Sequence, residues 1–160
     1  MSKRTAIGTG LVREVMDVSR AQAQSGPVAT GAGDVYRLLA DDMRGAQQEA
    51  FVALLLDTKL RVTGTVLVSL GTLDASIVHP RDVFREAVKR SAGAIILAHN
   101  HPSGDPEPST EDLAVTRRLA DAGRILGIAI LDHVIIGASG YVSLAQRGLM
   151  GGGFGSVVAA

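Results

Sequence analysis

Apolar residues along this chain fall in short runs, separated by polar stretches that contain Gly or Pro. Runs of this length are typical of strands inside a sheet. The first two runs are separated by a short connection that begins with the polar residues 57–59, which predicts a β-hairpin with buried strands. The predicted strands cover residues 51–56, 61–70, 94–98, 128–136 and 141–144.

Three other stretches of the chain repeat apolar residues at helical spacing. The first, residues 35–44, follows Asp34 as a candidate N-cap and is expected to pack on the sheet. The second begins at Pro80, and the third runs from Ser109 or Thr110 almost to the next predicted strand. The predicted inward-facing residues are Val35, Leu38, Leu39 and Met43, then Phe84, Ala87, Val88 and Ser91, and finally Leu113, Thr116, Ala120 and Gly123.

The two ends of the chain lack this regular pattern. Residues 11–18 fit a strand or a short helix, with a strand favoured, and residues 21–33 have the small, polar, Gly-rich composition of a loop or linker. The sequence therefore predicts one mixed α/β domain at 34–148. An N-terminal arm at 1–33 precedes it, and a flexible C-terminal tail at 149–160 follows it.

Composition narrows the class of protein. Of the 160 residues, 46% are hydrophobic, which is enough for one domain with its own core. Sixteen basic and sixteen acidic residues give a formal net charge of zero, which weighs against direct DNA binding without excluding a local basic patch. The absence of cysteine excludes disulfides, thiolate metal sites and a cysteine nucleophile. With neither a signal peptide nor a membrane-spanning run, we expect a soluble cytoplasmic protein without membrane contact.

Two histidines follow the strand predicted at 94–98. Residues i and i+2 of a strand face the same way, so His99 and His101 can direct both imidazoles at one point. Asp112, in the first turn of the next predicted helix, can supply a third ligand. Two nitrogens and one carboxylate oxygen suit a catalytic zinc ion, one per chain, with the fourth tetrahedral position left for water.

Each of these residue types also has a structural explanation. Ser109 and Asp112 form the Ser-x-x-Asp pattern of a capping box, which spacing alone favours, although the positive end of a helix also stabilises an ionised ligand. His79 and His133 are assigned to structure, since one precedes a helix and the other lies in an apolar strand. The arginines of the third predicted helix are assigned to a solvated face.

The pattern His-x-His-Pro from His99, followed by Ser109-x-x-Asp112, resembles the JAMM motif of MPN-type metallopeptidases. The wider sequence resembles the RadC family in particular, over residues 34–148. This resemblance implies a single MPN (JAB)-type domain with a curved mixed sheet flanked by helices, and a zinc metallopeptidase activity. The segments that carry it are QEAF at 48–51, LLDTK at 55–59, GTL at 71–73, HPR at 79–81, HNHPSGD at 99–105 and DHVIIG at 132–137.

The resemblance also implies an upstream catalytic glutamate, and the matching position is Glu49. Glu14 and Glu86 compete on chemistry alone, but neither falls at the family's position. In the implied reaction zinc activates a water, Glu49 takes its proton as general base, and Ser109 donates its hydroxyl to the developing oxyanion. The implied substrate is a protein or peptide, and the bond is a peptide or isopeptide bond.

Two other classes of function stay open. The family's traditional name suggests a DNA repair or recombination accessory. The neutral net charge argues against this function, and so does the lack of room for the helix-hairpin-helix region that full-length members carry. A non-catalytic MPN interaction module is the other alternative, against which stands the complete set of catalytic residue types. An exposed sheet edge could also support a homo-oligomer.

Overall fold

The computed structural model describes residues 26–71 and 78–151. It confirms an α/β domain in which the helices and strands predicted for this part of the chain are all present. Predictions for residues 11–18 and for the chain after Gly151 lie outside the described residues. The elements are α1 (Ala32–Met43), β1 (Ala50–Leu56), β2 (Val62–Leu70), α2 (Pro80–Lys89), β3 (Ala94–Asn100), α3 (Thr110–Leu126), β4 (Ala129–Ile136) and β5 (Tyr141–Ser143).

The strands form one mixed sheet in the order β2-β1-β3-β4-β5. β1 and β2 form the predicted hairpin, β1 also pairs antiparallel with β3, and β4 pairs antiparallel with β5. Among the strands of the described residues, only β3 and β4 are parallel, and α3 is the crossover between them. The start of β1 therefore lies beside the end of β3, where α3 is about to begin.

Helices cover both faces of the sheet. In β1 and β3, odd-numbered residues such as Phe51 and Leu97 pack against α2 and α3, and even-numbered residues such as Val52 and Ile96 pack against α1. This alternation is the ordinary two-residue period of a strand, with both faces buried. None of the helices within residues 26–71 and 78–151 is long and apolar enough to cross a membrane.

A bulge in β4 changes which residues face α3. Ile95 of β3 pairs with Ile130, but the next residue, Ile96, pairs with Asp132, so Leu131 is the extra residue in the register. Ile130 belongs to the core under α2 and α3, whereas Val134, also even-numbered, belongs to the core under α1. The bulge thus shifts the alternation by one and turns odd-numbered residues after it toward α3.

The start of α1 was predicted incorrectly. The helix begins at Ala32, and Gly31 occupies the N-cap position assigned to Asp34. Asp34 lies in the first turn instead, where its carboxylate accepts bonds from the backbone N–H (2.9 Å) and the hydroxyl (2.8 Å) of Thr30. From this position the acidic side chain accepts hydrogen bonds from a residue that precedes the helix. In the sequence alone, such a residue looks like the N-cap of a helix that starts three residues later.

Three predicted inward-facing residues are exposed. Leu38 lies off the α1 face that contacts the sheet, because that face centres on Ala32, Leu39 and Met43. On α2 the buried face is Val83, Phe84 and Ala87, so Val88 points to solvent, and Ser91 lies beyond the helix end.

Two segments at the edge of the sheet also differ from expectation. β2 is only partly buried, because it is an edge strand of the described sheet. Residues 27–29, predicted as part of a linker, instead extend along the β1–β2 connection. The N–H of Ala29 donates to the carbonyl of Leu60 (2.9 Å), and the N–H of Val62 donates to the carbonyl of Pro27 (2.8 Å).

Candidate metal centre

Polar side chains from three segments converge at the end of β3. His99 lies in β3 and His101 directly after it, Asp112 lies in the first turn of α3, and Glu49 immediately precedes β1. One potential ligand atom from each of the four residues lies within 4.8 Å of the other three. The three residues that spacing suggested as metal ligands and the glutamate implied by the resemblance are therefore neighbours in space.

The strand register explains why these side chains meet. Phe51 of β1 pairs with His99, so Glu49, two residues before Phe51, lies on the same face of the sheet and at the same end. The Nε2 atom of His99 is 2.9 Å from His101 Nε2, 3.0 Å from Asp112 Oδ1 and 3.6 Å from Glu49 Oε1. The His99 side chain is fully buried, whereas those of Glu49 and His101 are 17% and 15% exposed, so these two form the solvent side of the group.

Asp112 serves the helix and the histidines at once. The N–H of Ser109 donates to Asp112 Oδ2 (2.7 Å) and the N–H of Asp112 donates to Ser109 Oγ (3.1 Å), which completes a capping box. The same carboxylate approaches His99 through Oδ1 and His101 through Oδ2, the latter at 3.1 Å. The capping role and the proposed metal-ligand role of Asp112 are therefore compatible, because the capping box holds its carboxylate next to both histidines.

His101 is oriented by the loop that follows it. Its Nδ1 lies 2.8 Å from the backbone carbonyl oxygen of Asp105. A carbonyl oxygen only accepts, so Nδ1 carries a proton and donates it. In the neutral ring the lone pair is therefore on Nε2, the atom that faces Asp112 and His99.

The electrostatics of the group favour positive charge at its centre. The hydrogen bond to Asp112 is the main reason that the pKa of His101 is raised above its usual value. Burial acts to raise the pKa of the Asp112 carboxyl, but the contacts of this carboxylate with His101 and His99 outweigh it and hold that pKa well below its usual range. The centre therefore combines an ionised carboxylate with imidazoles that attract a cation, either a proton or a metal ion.

Asn100, between the two histidines, positions the glutamate. Its side chain points to the opposite face, where Oδ1 accepts from the N–H of Ala50 (2.8 Å) and Nδ2 donates to the carbonyl of Gln48 (3.0 Å). These backbone groups flank Glu49 on both sides. Sequence reasoning assigned Asn100 no role; the available indication was a polar amide in a strand with apolar neighbours, which must find partners.

His133, assigned to structure from the sequence, is indeed fully buried and hydrogen-bonded, but one of its partners is His99. Its Nε2 lies 2.7 Å from His99 Nδ1, and its Nδ1 lies 2.6 Å from the hydroxyl oxygen of Thr116 on α3. Burial lowers the pKa of His133 well below its usual value, so the ring is neutral near pH 7. No pattern in the sequence connects residues in β4 and β3 in this way.

The remaining candidates lie outside the group or at its border. Ser109 is exposed at the start of α3, and its oxygen accepts the capping hydrogen bond. His79 occupies the N-cap position of α2, and Glu86 on that helix pairs with Lys89 (3.4 Å). Glu14 lies outside the described residues. Within residues 26–71 and 78–151, Glu49 is thus the glutamate that joins the two histidines and Asp112 as a possible metal-binding group.

Comparison with known proteins agrees with this picture. The family profile described as "RadC-like JAB domain" matches residues 29–149. A UPF0758 protein of Desulfitobacterium hafniense is 52% identical over 124 residues, 78% of this chain and 55% of the relative. A UPF0758 protein of Shouchella clausii is 53% identical over 76% of this chain and 53% of its own length. One of Moorella thermoacetica is 56% identical over 73% of this chain and 51% of its own length. The chain thus spans about half the length of these curated relatives.

Proposed function

The chain belongs to the family of RadC-like JAB domains, and from this premise we propose that it is a zinc-dependent metallopeptidase that hydrolyses a peptide or isopeptide bond. The observation that carries the proposal is the group formed by His99, His101, Asp112 and Glu49. The substrate we propose is a protein or peptide, because the implied reaction attacks an amide carbonyl.

The donor set suits zinc. His99 and His101 each present Nε2, and Asp112 presents its carboxylate, which gives the two nitrogens and one oxygen found in catalytic zinc sites. Ligand atoms about 2.1 Å from a tetrahedral ion lie about 3.4 Å from one another. The two Nε2 atoms are 2.9 Å apart, and each lies close to a different oxygen of Asp112, at 3.0 Å (His99 to Oδ1) and 3.1 Å (His101 to Oδ2). The group must therefore open by about 0.3–0.5 Å to hold such an ion.

The hydrogen bonds of the group also favour a positive charge at its centre, from a proton or a metal ion. His101 Nδ1 keeps its proton for the carbonyl of Asp105, so a neutral His101 directs a lone pair at the ionised Asp112. Two groups that only accept repel each other unless a positive charge lies between them. When bound, zinc would supply that charge, lower the pKa of a water toward neutrality and polarise the scissile carbonyl.

Glu49 is proposed as the general base. Its carboxylate lies at the solvent side of the group, with Oε1 3.6 Å from His99 Nε2, farther than the three proposed ligands lie from one another. From this position Oε1 would take a proton from the attacking water and deliver it to the nitrogen of the leaving amine. Asn100 holds the backbone on both sides of Glu49, which fixes where this carboxylate can reach.

Ser109 is proposed as the donor to the oxyanion. Its oxygen accepts the N–H of Asp112, which leaves the hydroxyl proton available for a substrate at the exposed start of α3. Removing one such donor costs on the order of a hundredfold to a thousandfold in kcat in comparable enzymes. Ser109→Ala should therefore lower turnover while weakening the helix cap by about 1 kcal/mol.

The first experiment measures zinc by elemental analysis after dialysis against a weak chelator. We expect about one zinc per chain in the parent protein, and none after His101→Ala. His79→Ala is the matched control, since this histidine lies outside the group and its removal should leave the zinc in place. If the parent held no zinc and added zinc left its Tm unchanged, the metallopeptidase proposal would be withdrawn.

The second experiment separates metal binding from hydrolysis. On a substrate found by screening quenched peptides and isopeptide-linked conjugates, Glu49→Gln should abolish turnover and keep the zinc. His101→Ala should lose both. Full activity of Glu49→Gln would show that another group acts as the base.

A further inference from the structure

A chain of hydrogen bonds leads from the backbone of α3 to His99 through Thr116 and His133. Resting on the proposed metal site, we propose that Thr116 and His133 are positioning residues, which fix the proton of His99 on Nδ1 and so reserve its Nε2 lone pair for the metal. Neither residue approaches the reacting atoms in this proposal. Both act through His99.

This series of hydrogen bonds begins at the backbone carbonyl of Asp112. The hydroxyl oxygen of Thr116 lies 2.6 Å from this carbonyl oxygen, and since a carbonyl only accepts, the hydroxyl must donate. A hydroxyl has one proton, which this bond consumes. Toward its other close neighbour, Nδ1 of His133 at 2.6 Å, the Thr116 oxygen can only accept. The proton of that second bond therefore belongs to His133.

The same reasoning continues through the ring. A neutral imidazole has one N–H, and here Nδ1 holds it, so Nε2 of His133 is an acceptor. Nε2 lies 2.7 Å from Nδ1 of His99, which must then donate. The free lone pair of a neutral His99 is consequently on Nε2, directed at Asp112 Oδ1 and at His101 Nε2.

The surroundings prevent His133 from adopting another arrangement. The ring is completely buried, and Phe51 contacts it edge-on, with ring centroids 5.3 Å apart and planes at 89°. The β4 bulge at Leu131 turns His133 to the α3 side in the first place. A ring that is packed and shielded from water holds one orientation and one set of partners.

This relay, the series of hydrogen bonds through Thr116 and His133, also connects two of the proposed ligands, Asp112 and His99. It starts at the backbone carbonyl of Asp112 and ends at His99, whose Nε2 lies 3.0 Å from the Asp112 side chain. The geometry of α3 around Asp112 therefore sets both a ligand oxygen and the tautomer of a ligand nitrogen. Partners that orient a metal-binding histidine typically change metal affinity about 10–100-fold when they are lost.

The test combines a tautomer measurement with a zinc titration. In chelator-treated protein at about pH 8, above the ordinary titration range of histidine, ¹⁵N chemical shifts of the imidazoles should show His133 and His99 both protonated on Nδ1, with a bare Nε2 on His133. A proton on Nε2 of His133 would overturn the relay. This measurement requires no zinc, so it decides the proposal even if the metal site itself failed.

Two variants of Thr116 provide the matched comparison. Thr116→Val keeps the shape and removes the hydroxyl, and it should weaken zinc binding about 10–100-fold in competition with a chromophoric chelator. Thr116→Ser keeps a hydroxyl and should restore binding close to that of the parent. Equal zinc affinity of the valine and serine variants would refute the relay.

If Thr116→Val did not fold, His133→Gln and His133→Leu would replace that comparison, because glutamine retains an acceptor for His99 and leucine does not. We expect zinc affinity to be higher in the glutamine variant than in the leucine variant. Equal affinities would overturn the role of His133.

Discussion

Gly137, which follows β4, leaves no space for a side chain. A Cβ atom at this position would lie 2.5 Å from the carbonyl oxygen of Gly104 and 2.8 Å from Cδ of Pro106. Both contacts are with the loop that follows His101, and one of them is with rigid backbone. The N–H of Ala138 donates to that same Gly104 carbonyl at 2.8 Å, so the loop cannot retreat without losing this bond.

Gly137→Ala should therefore destabilise the protein. Forcing a methyl group into a packed site costs about 1–3 kcal/mol, and loss of the Gly104 hydrogen bond adds about 1 kcal/mol. A total of about 2–4 kcal/mol corresponds to a fall in Tm of roughly 6–12 °C for a chain of this size. Gly140→Ala is the control, because nothing lies within 4 Å of a Cβ there and its φ is not in the left-handed region.

The same substitution should weaken metal binding. Displacing the loop moves the carbonyl of Asp105, which orients His101 through a 2.8 Å hydrogen bond. Thermal unfolding is followed by circular dichroism in chelator, and zinc affinity is measured separately by competition; we expect a loss of about tenfold or more. Equal unfolding temperatures of Gly137→Ala and Gly140→Ala would contradict the predicted clash at Gly137.

Two further predictions concern the group itself. Asn100→Leu should destabilise the protein by about 1–3 kcal/mol in urea unfolding, because it leaves the buried N–H of Ala50 without its acceptor and removes the donor to the Gln48 carbonyl. It should also lower turnover more than zinc content, since Glu49 loses its support; an unchanged urea midpoint would contradict this. Zinc affinity should fall with decreasing pH, because the raised pKa of His101 lets a proton compete for Nε2 more strongly as pH drops through that value. Titration at about pH 5.5 and about pH 7.5 checks the sign, and an affinity independent of pH would exclude His101 as a ligand.

Much of the metal group could be predicted because its parts are local. The apolar run before His99 predicts a strand, and strand alternation then places His99 and His101 on one face. Asp112 follows from the start of α3, where the capping pattern is explicit. Glu49 could not be found this way, because it precedes a different strand and reaches the group only through the pairing of β1 with β3.

The relay through His133 was beyond prediction for a different reason. The run at 128–136 predicts a strand, and alternation along an unbroken strand would place His133 on the face opposite to Ile130. The bulge at Leu131 reverses this, and nothing in the apolar run indicates where the extra residue falls. The start of α1 was misplaced by a similar ambiguity, since Asp34 has the chemistry of a cap but acts from within the first turn.

The two parts of the proposed active site come from separate pieces of the fold. His99, His101 and Asp112 belong to the continuous β3–loop–α3 unit, and Glu49 alone comes from the hairpin side, where its side chain reaches solvent. In the proposed reaction, the three metal ligands and the general base therefore come from two separate segments of the fold. Under this proposal, a substitution of Glu49 would remove the general base and leave the three metal ligands in place. In such a domain, hydrolysis could be lost by mutation while metal binding is kept.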